Sequence, residues 1–345
     1  MQEILFIRFG ALGDLCLLGW TLSRLAAAPG AGGRRITLAT KARFADLAAR
    51  LHGVDEVLAL PEPGGLRDLV RLAADVRRRK FATVIDAHQV VRSRLLLGLL
   101  ARRPAAVLRK DTVARLRLLR RGGVDLRLRR HMRDRFDALL AEAGLPAGEP
   151  TVPLIALTPQ PARGAGTSDA AEPPRLGLAP GAQWEPKRWP AAYWADIARR
   201  FRAASSAPLR VFLGPREEAW YRGSDLAVAL GAVAPVEIIR ERPLPEVAAL
   251  LAGCRLLVCN DSGLMHLAEA VGTPVAACFG PTVAAFGYTP CLAASTVLEV
   301  VDLPCRPCSR NGKRPCHRQD LACLVQITPD RMWREIATRG PWPKG

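Results

Sequence analysis

The sequence predicts an α/β protein built from two Rossmann-like, doubly wound domains. Three observations carry that expectation. Short apolar runs alternate with helical patterns through the first half of the chain, the alternation stops over residues 158–174, and it restarts afterwards. A length of 345 residues is enough for two domains that each bury a core.

The elements follow in order. "EILFIR" leads into a helix from about Leu12 to Ala28, "RITLAT" into one near 41–50, and "EVLALP" into one near 66–80. "ATVIDA" precedes a helix near 90–101, and "AAVLR" closes the series at 105–109. Strands spaced by helices of about 10–15 residues are the pattern of a parallel sheet. Residues 158–174, "TPQPARGAGTSDAAEPP", have no apolar periodicity and read as a low-complexity linker. Beyond it come "RLGLAP", a helix near 190–204, "LRVFLG", a helix near 216–230, "PVEIIR", a helix near 244–252, "RLLVCN", a helix near 262–271 and "PVAACFG". The expected division is 1–157, the linker, 175–325, and a C-terminal helix and tail over 326–345. Two open sheets in series leave a cleft, with ligands at the carboxyl ends of the strands.

Composition narrows the function. Apolar residues make up 49% of the chain and aromatic residues 6%. No stretch reaches the ~18 uncharged apolar residues of a spanning helix. The N-terminus lacks the charged, apolar and small-residue succession of a signal peptide. The expected location is therefore the cytoplasm, with the nine cysteines as thiols or metal ligands.

The net charge of +18 is unevenly spread. Residues 92–135 hold 15 Lys and Arg against 3 Asp and Glu, a net of +12. Such a segment attracts polyanions: nucleic acid, anionic lipid headgroups or phosphorylated glycans, unless it is only a solvated surface. It has no interleaved aromatics to stack bases, and no nucleic-acid-binding motif is present. Leucines lie among its arginines, which fits a surface that touches a membrane. Arg102, Arg103, Arg120 and Arg121 are the candidates there for an anionic acceptor.

Three motifs sit at strand ends in the second half. "APGAQWEPKRWP", 179–190, offers the Gly181 turn and Lys187, a point charge suited to phosphate. "FLGPREEAW", 212–220, places Glu217 past a strand end, where a carboxylate can hold ribose hydroxyls. "NDSGLMHLAEAVGTPVAACFGPT", 260–282, ends a strand and opens a helix, so the N–H groups after Ser262 form an anion site. Asp261, Gly263 and His266 belong to the same cluster. The first half has its own anomaly. "FIRFGALGDL", 6–15, runs from a strand through a Gly turn into a helix, yet it carries Asp14 where a pyrophosphate would be expected.

These stretches, "ILFIRFGALGD", "APGAQWEPKRWP" and "NDSGLMHLAEAVGTPVAACFGPT", in this order and at these separations, resemble the bacterial heptosyltransferases of glycosyltransferase family 9. The resemblance runs over nearly the whole chain, to "ITPDRMW" near 327, and is nearest the branch that adds the second heptose. It implies a B-type glycosyltransferase fold and inverting transfer of heptose from ADP-heptose to the lipid A-core oligosaccharide. The place implied is the cytoplasmic face of the inner membrane, with the enzyme peripheral on that anionic surface. The implied division of labour is an acceptor on the N-terminal domain and a donor on the C-terminal one. Asp14, after Gly13 in the "GD" turn, becomes the general base. Lys187 becomes the partner of the leaving diphosphate, and no cofactor or metal is called for. Ala182 and Gln183 stand where some members have adjacent threonines, and Ser262 where many have Thr. The alternatives are a glycosyltransferase of the same fold with another nucleotide-sugar donor, and a non-catalytic nucleotide- or RNA-binding protein.

One motif stays outside this scheme. Cys305-x2-Cys308-x7-Cys316-x6-Cys323 supplies four thiols within 19 residues, with His317 beside them. A structural zinc site, locally packed reduced thiols and a disulfide are all compatible with that spacing.

Overall fold

The computed structural model describes residues 1–121, 128, 130–157, 174–215, 217–232 and 235–344. It separates into two compact units, Met1–Thr112 with Leu126–Leu157, and Val113–Asp125 with Thr158–Gly345. The stretch 158–173 of the expected linker lies outside the described residues.

The first unit runs β1 (Gln2–Ile7), α1 (Leu12–Ala26), β2 (Arg34–Lys41), α2 (Ala42–Ala48), β3 (Glu56–Leu60), α3 (Leu66–Arg78), β4 (Thr83–Asp86), α4 (Val91–Leu100) and β5 (Ala106–Val107). Next come α5 (Thr112–Arg121), nearly all of which groups with the second unit, and α6 (Met132–Glu142). The strands form one sheet in the order β3-β2-β1-β4-β5, with every pair parallel. Ile4 at the centre faces Ile36 on one side and Thr83 on the other. "ILFI" is an unbroken apolar run because helices cover both faces of this strand. Leu5, Ile7, Leu69, Leu72, Val76 and Leu96 pack together between the sheet and α3 and α4. Each such buried side chain contributes about 1.5–3 kcal/mol. Helix α6 is fastened to α1 by Asp137, which accepts from Thr21 Oγ1 (2.5 Å) and Arg24 Nη1 (2.7 Å).

The second unit continues with β6 (Arg175–Ala179), α7 (Ala191–Ala204), β7 (Leu209–Phe212), α8 (Glu218–Arg222), α9 (Asp225–Ala232), β8 (Val236–Ile239), α10 (Leu244–Ala252), β9 (Cys254–Asn260), α11 (Gly263–Ala270), β10 (Val275–Phe279), β11 (Thr296–Glu299), α12 (Ala322–Val325) and α13 (Pro329–Ala337). Its six strands lie in the order β11-β10-β9-β6-β7-β8, all parallel. The core holds Trp189, Trp194, Phe201, Leu256 and Val258. The Trp189 and Trp194 rings meet edge to face at 5.1 Å, and Trp189 Nε1 donates to the Ile327 carbonyl (2.7 Å). Helix α13 starts at Thr328, whose hydroxyl accepts from Arg331 N. Its Asp330 pairs with Arg200 of α7 at 2.6 Å.

Both units are thus doubly wound parallel sheets, as the alternation predicts. The differences are local. The single helix expected near 216–230 is two, because Gly223 ends α8 and Ser224 accepts the first backbone bond of the next turn. Helices α5, α6 and α12 and strand β11 are additional elements.

Candidate functional site

In each sheet the strand order reverses once, between β1 and β4 in the first unit and between β6 and β9 in the second. Loops leaving adjacent strands diverge there, and a crevice opens at the carboxyl edge. The residues that the motifs single out gather at these two edges.

At the first edge, β1 runs into Arg8, Phe9 and Gly10. Gly10 has φ +144°, a conformation that favours glycine. Gly13 is buried in the first turn of α1, next to Asp14. Asp14 Oδ2 accepts from the Ala11 N–H (3.3 Å), the capping bond of that turn, and lies 2.6 Å from Arg8 Nη2. Its other oxygen, Oδ1, is buried and has no hydrogen-bond partner among the described residues. Arg8 Nη1 donates to the Ala87 carbonyl just beyond β4 (2.6 Å). Asp86 ends β4 and accepts from the N–H groups of His88 (3.0 Å) and Gln89 (2.8 Å) and from Ser93 Oγ (2.9 Å). This fixes the loop that carries His88. Burial, with Arg8 and Lys110 nearby, pushes the His88 pKa down to about 3, so the ring is neutral at pH 7. Its Nδ1 accepts from the Phe9 N–H (3.3 Å). Burial and Arg8 also lower the pKa of Lys110.

Sequence reasoning missed Arg8, His88 and Lys110. The available signal was Arg8 itself, a charged residue abutting a fully buried apolar strand.

At the second edge, Asn260 ends β9 fully buried. Its Oδ1 accepts from Trp189 N (3.0 Å), and its Nδ2 donates to the carbonyls of Pro180 (2.8 Å) and Gly181 (3.2 Å). One side chain therefore holds the 180–189 loop against the end of β9. Lys187 Nζ lies 2.7 Å from Asp261 Oδ2, which also accepts from Thr282 Oγ1 (2.7 Å). Ser262 is the N-cap of α11, but its hydroxyl makes no capping bond, and Oγ is buried without a partner among the described residues. No side chain caps the turn that opens at Gly263, so its N–H groups lack acceptors within the helix. Unpaired N–H groups at a helix start favour an anion, and Lys187 lies against the neighbouring Asp261. His266 follows on α11, 5% exposed, with its ring centroid 6.4 Å from that of Tyr288.

Glu217 Oε2 accepts from Gly214 N (2.8 Å). Its carboxylate occupies the space above Gly181: a Cβ at residue 181 would lie 1.7 Å from Glu217 Cδ. Glycine at 181 is what admits the acid there. Burial raises the Glu217 pKa, opposed by the Gly214 N–H and Arg188. Gly312 plays the same part for Lys187, since a Cβ there would lie 2.4 Å from Lys187 Cγ and Cδ. Gly181, Glu217, Lys187, Asp261, Ser262 and Gly263 thus share the carboxyl edge of the second sheet.

The basic segment divides. Arg102 donates to the carbonyls of Phe81 and, at 3.4 Å, Ala82, both of which precede β4. It is bound at the amino edge of the first sheet, opposite Asp14, which corrects its expected role toward an acceptor. Arg103 shares that α4–β5 connection and is exposed. Arg120 is exposed on α5, and the side chain of Arg121 lies outside the described residues.

All nine cysteines are free, and among the described residues no group of three or more His, Cys, Asp or Glu side chains could hold a metal ion. Cys305, Cys308, Cys316 and Cys323 influence one another's charge and so share a neighbourhood. Burial raises the Cys323 thiol to about 11. No helix of the described residues is long and apolar enough to cross a membrane.

Comparison with known proteins gives a consistent set. The family model for glycosyltransferase family 9 (heptosyltransferase) matches residues 69–317. Lipopolysaccharide heptosyltransferase 2 of Salmonella typhimurium is 27% identical over 223 residues, covering 59% of this chain and 60% of that protein. The match therefore spans about three-fifths of that relative. The crystal structure of a family 9 glycosyl transferase from Veillonella parvula superposes with a TM-score of 0.74 at 19% identity, covering 98% of this chain and 97% of that one. The structure of ADP-heptose LPS heptosyltransferase II from E. coli gives 0.69 at 20% identity, with 98% of each chain covered. These two are likenesses of fold.

Proposed function

The chain belongs to glycosyltransferase family 9, and from that premise we propose that it transfers heptose from ADP-heptose to the inner core of lipopolysaccharide, with inversion at the anomeric carbon. The observation that carries this reading is the division of charge between the two edges. The first presents a carboxylate with one oxygen unpartnered. The second presents a lysine beside an uncapped helix N-terminus.

An inverting transfer needs both. The acceptor hydroxyl oxygen attacks the anomeric carbon while its proton passes to the Asp14 carboxylate. The bond from that carbon to the diphosphate oxygen breaks, and its electron pair leaves with ADP. Lys187 and the N–H groups opening α11 take up the negative charge that grows on the diphosphate. Asp261 holds Lys187 in place and Asn260 holds its loop. Glu217, over Gly181, faces the ribose hydroxyls of the donor, and His266 contributes to the same donor site. Transfer from ADP-heptose to truncated lipopolysaccharide cores, run beside other nucleotide sugars and read by mass, tests this reading and separates it from a same-fold enzyme with another donor.

The basic segment is shared by the two units, with Arg94, Arg103 and Arg109 on the first and Arg117 and Arg120, on α5, on the second. Arg94, Arg103, Arg109, Arg117 and Arg120 are exposed, and each basic group near an anionic leaflet is worth roughly 1 kcal/mol. Together they hold the enzyme peripherally on that surface. Charge reversal of Arg103, Arg117 and Arg120 is expected to abolish co-sedimentation with anionic vesicles at moderate salt. Equal binding by the wild type and the reversed variant would leave the segment as solvated surface.

A further inference from the structure

We propose that Arg8 is a positioning residue for Asp14, locking its carboxylate in place at the carboxyl edge of the first sheet. The proposal rests on the reading of Asp14 as the base.

Arg8 is 4% exposed and follows β1 directly. Its guanidinium carbon lies 5.5 Å from the Phe136 ring centroid. The guanidinium is a rigid planar fork. One tip, Nη1, is fixed by the Ala87 carbonyl beyond β4, so the position of the other, Nη2, is fixed as well. Nη2 meets Asp14 Oδ2 at 2.6 Å, and the Ala11 N–H reaches the same oxygen. Oδ2 therefore has two donors and Oδ1 has none. Arg8 spans the strand pair where the order reverses, the place at which this fold class binds ligands. The other charged groups around this edge do not repeat its contact. Among the described residues Lys41 pairs with Glu62, Lys110 lies within electrostatic reach of Asp14, Asp86 is engaged by its own loop, and His88 is neutral. Arg8 keeps its proton throughout and exchanges none with the substrate.

The experiment measures kcat, donor KM and melting temperature for Arg8→Gln and Arg8→Lys, each in the wild-type and Asp14→Asn backgrounds. In wild type, Arg8→Gln is expected to lower kcat by about 10–100-fold with donor KM changed less than about twofold, and Arg8→Lys, which keeps the charge but loses the fork, by a similar factor. In Asp14→Asn, either substitution should change the residual rate by less than about twofold, because the group being positioned is already lost. Equal losses in the two backgrounds, or wild-type kcat in Arg8→Gln, would overturn the proposal and leave Arg8 a packing residue. If Arg8→Gln does not fold, the lysine variant carries the same comparison, with its loss present in wild type and absent in Asp14→Asn. Full activity of Asp14→Asn alone would remove the base itself, and the role of Arg8 with it. That failure is distinct from a working base that does not need Arg8.

Discussion

Asp14→Asn is expected to lower kcat by about 10²–10⁴-fold, the range for losing a general base. Asparagine is nearly isosteric with aspartate. Its amide oxygen still accepts from Ala11 N and from Arg8, the two contacts that tie Asp14 to its turn. The melting temperature should therefore move little. What is lost is an oxygen able to take a proton from the acceptor. ADP affinity should be unchanged, because the donor residues belong to the other unit. Calorimetry with ADP and single-turnover transfer rates separate the two effects. A variant with wild-type kcat would reduce Asp14 to a helix-capping acid, which interacts with the helix dipole and nothing more.

Lys187→Ala is expected to weaken ADP binding by about 10–150-fold, the equivalent of a charge-assisted hydrogen bond of roughly 1.5–3 kcal/mol. It should also slow transfer beyond its effect on binding, since charge on the leaving diphosphate grows toward the transition state. The structure adds a second cost. Lys187 is the ion-pair partner of Asp261 at 2.7 Å, and both side chains are largely buried. Without the lysine, Asp261 keeps only the Thr282 hydroxyl and adds an uncompensated negative charge near the diphosphate. Lys187→Ala with Asp261→Asn should therefore bind ADP better than Lys187→Ala alone. Unchanged ADP affinity and kcat in the single variant would assign Lys187 to the Asp261 contact only.

Much of the fold is legible from apolar periodicity. "ILFI", "VID", "LGLA" and "LLVCN" are strands buried on both faces, and an unbroken apolar run is what such strands require. No α-helix separates β10 from β11, so the strand–helix alternation does not point to "TVLE". The second-edge cluster was legible because "NDSG" joins a strand end, a cap and a helix start within four residues. What sequence could not supply were the pairings across long separations. Lys187 and Asp261 are 74 residues apart, and Arg8 meets Ala87 across 79. Nothing in local spacing encodes either. The basic segment shows the same limit from the other side. Its net charge was readable, but charge alone does not separate Arg102, spent on the carbonyls of Phe81 and Ala82, from exposed Arg120.

Transfer itself is the most direct measurement. The purified chain is incubated with ADP-heptose and a lipid A-core acceptor truncated after its first heptose, the products are weighed, and the anomeric configuration of the new linkage is read by NMR. The account predicts release of ADP and gain of one heptose residue by the acceptor, with the new linkage inverted relative to the donor. UDP- and GDP-sugars should give no product. An acceptor mass unchanged by ADP-heptose, or a heptose attached with retained configuration, would contradict it.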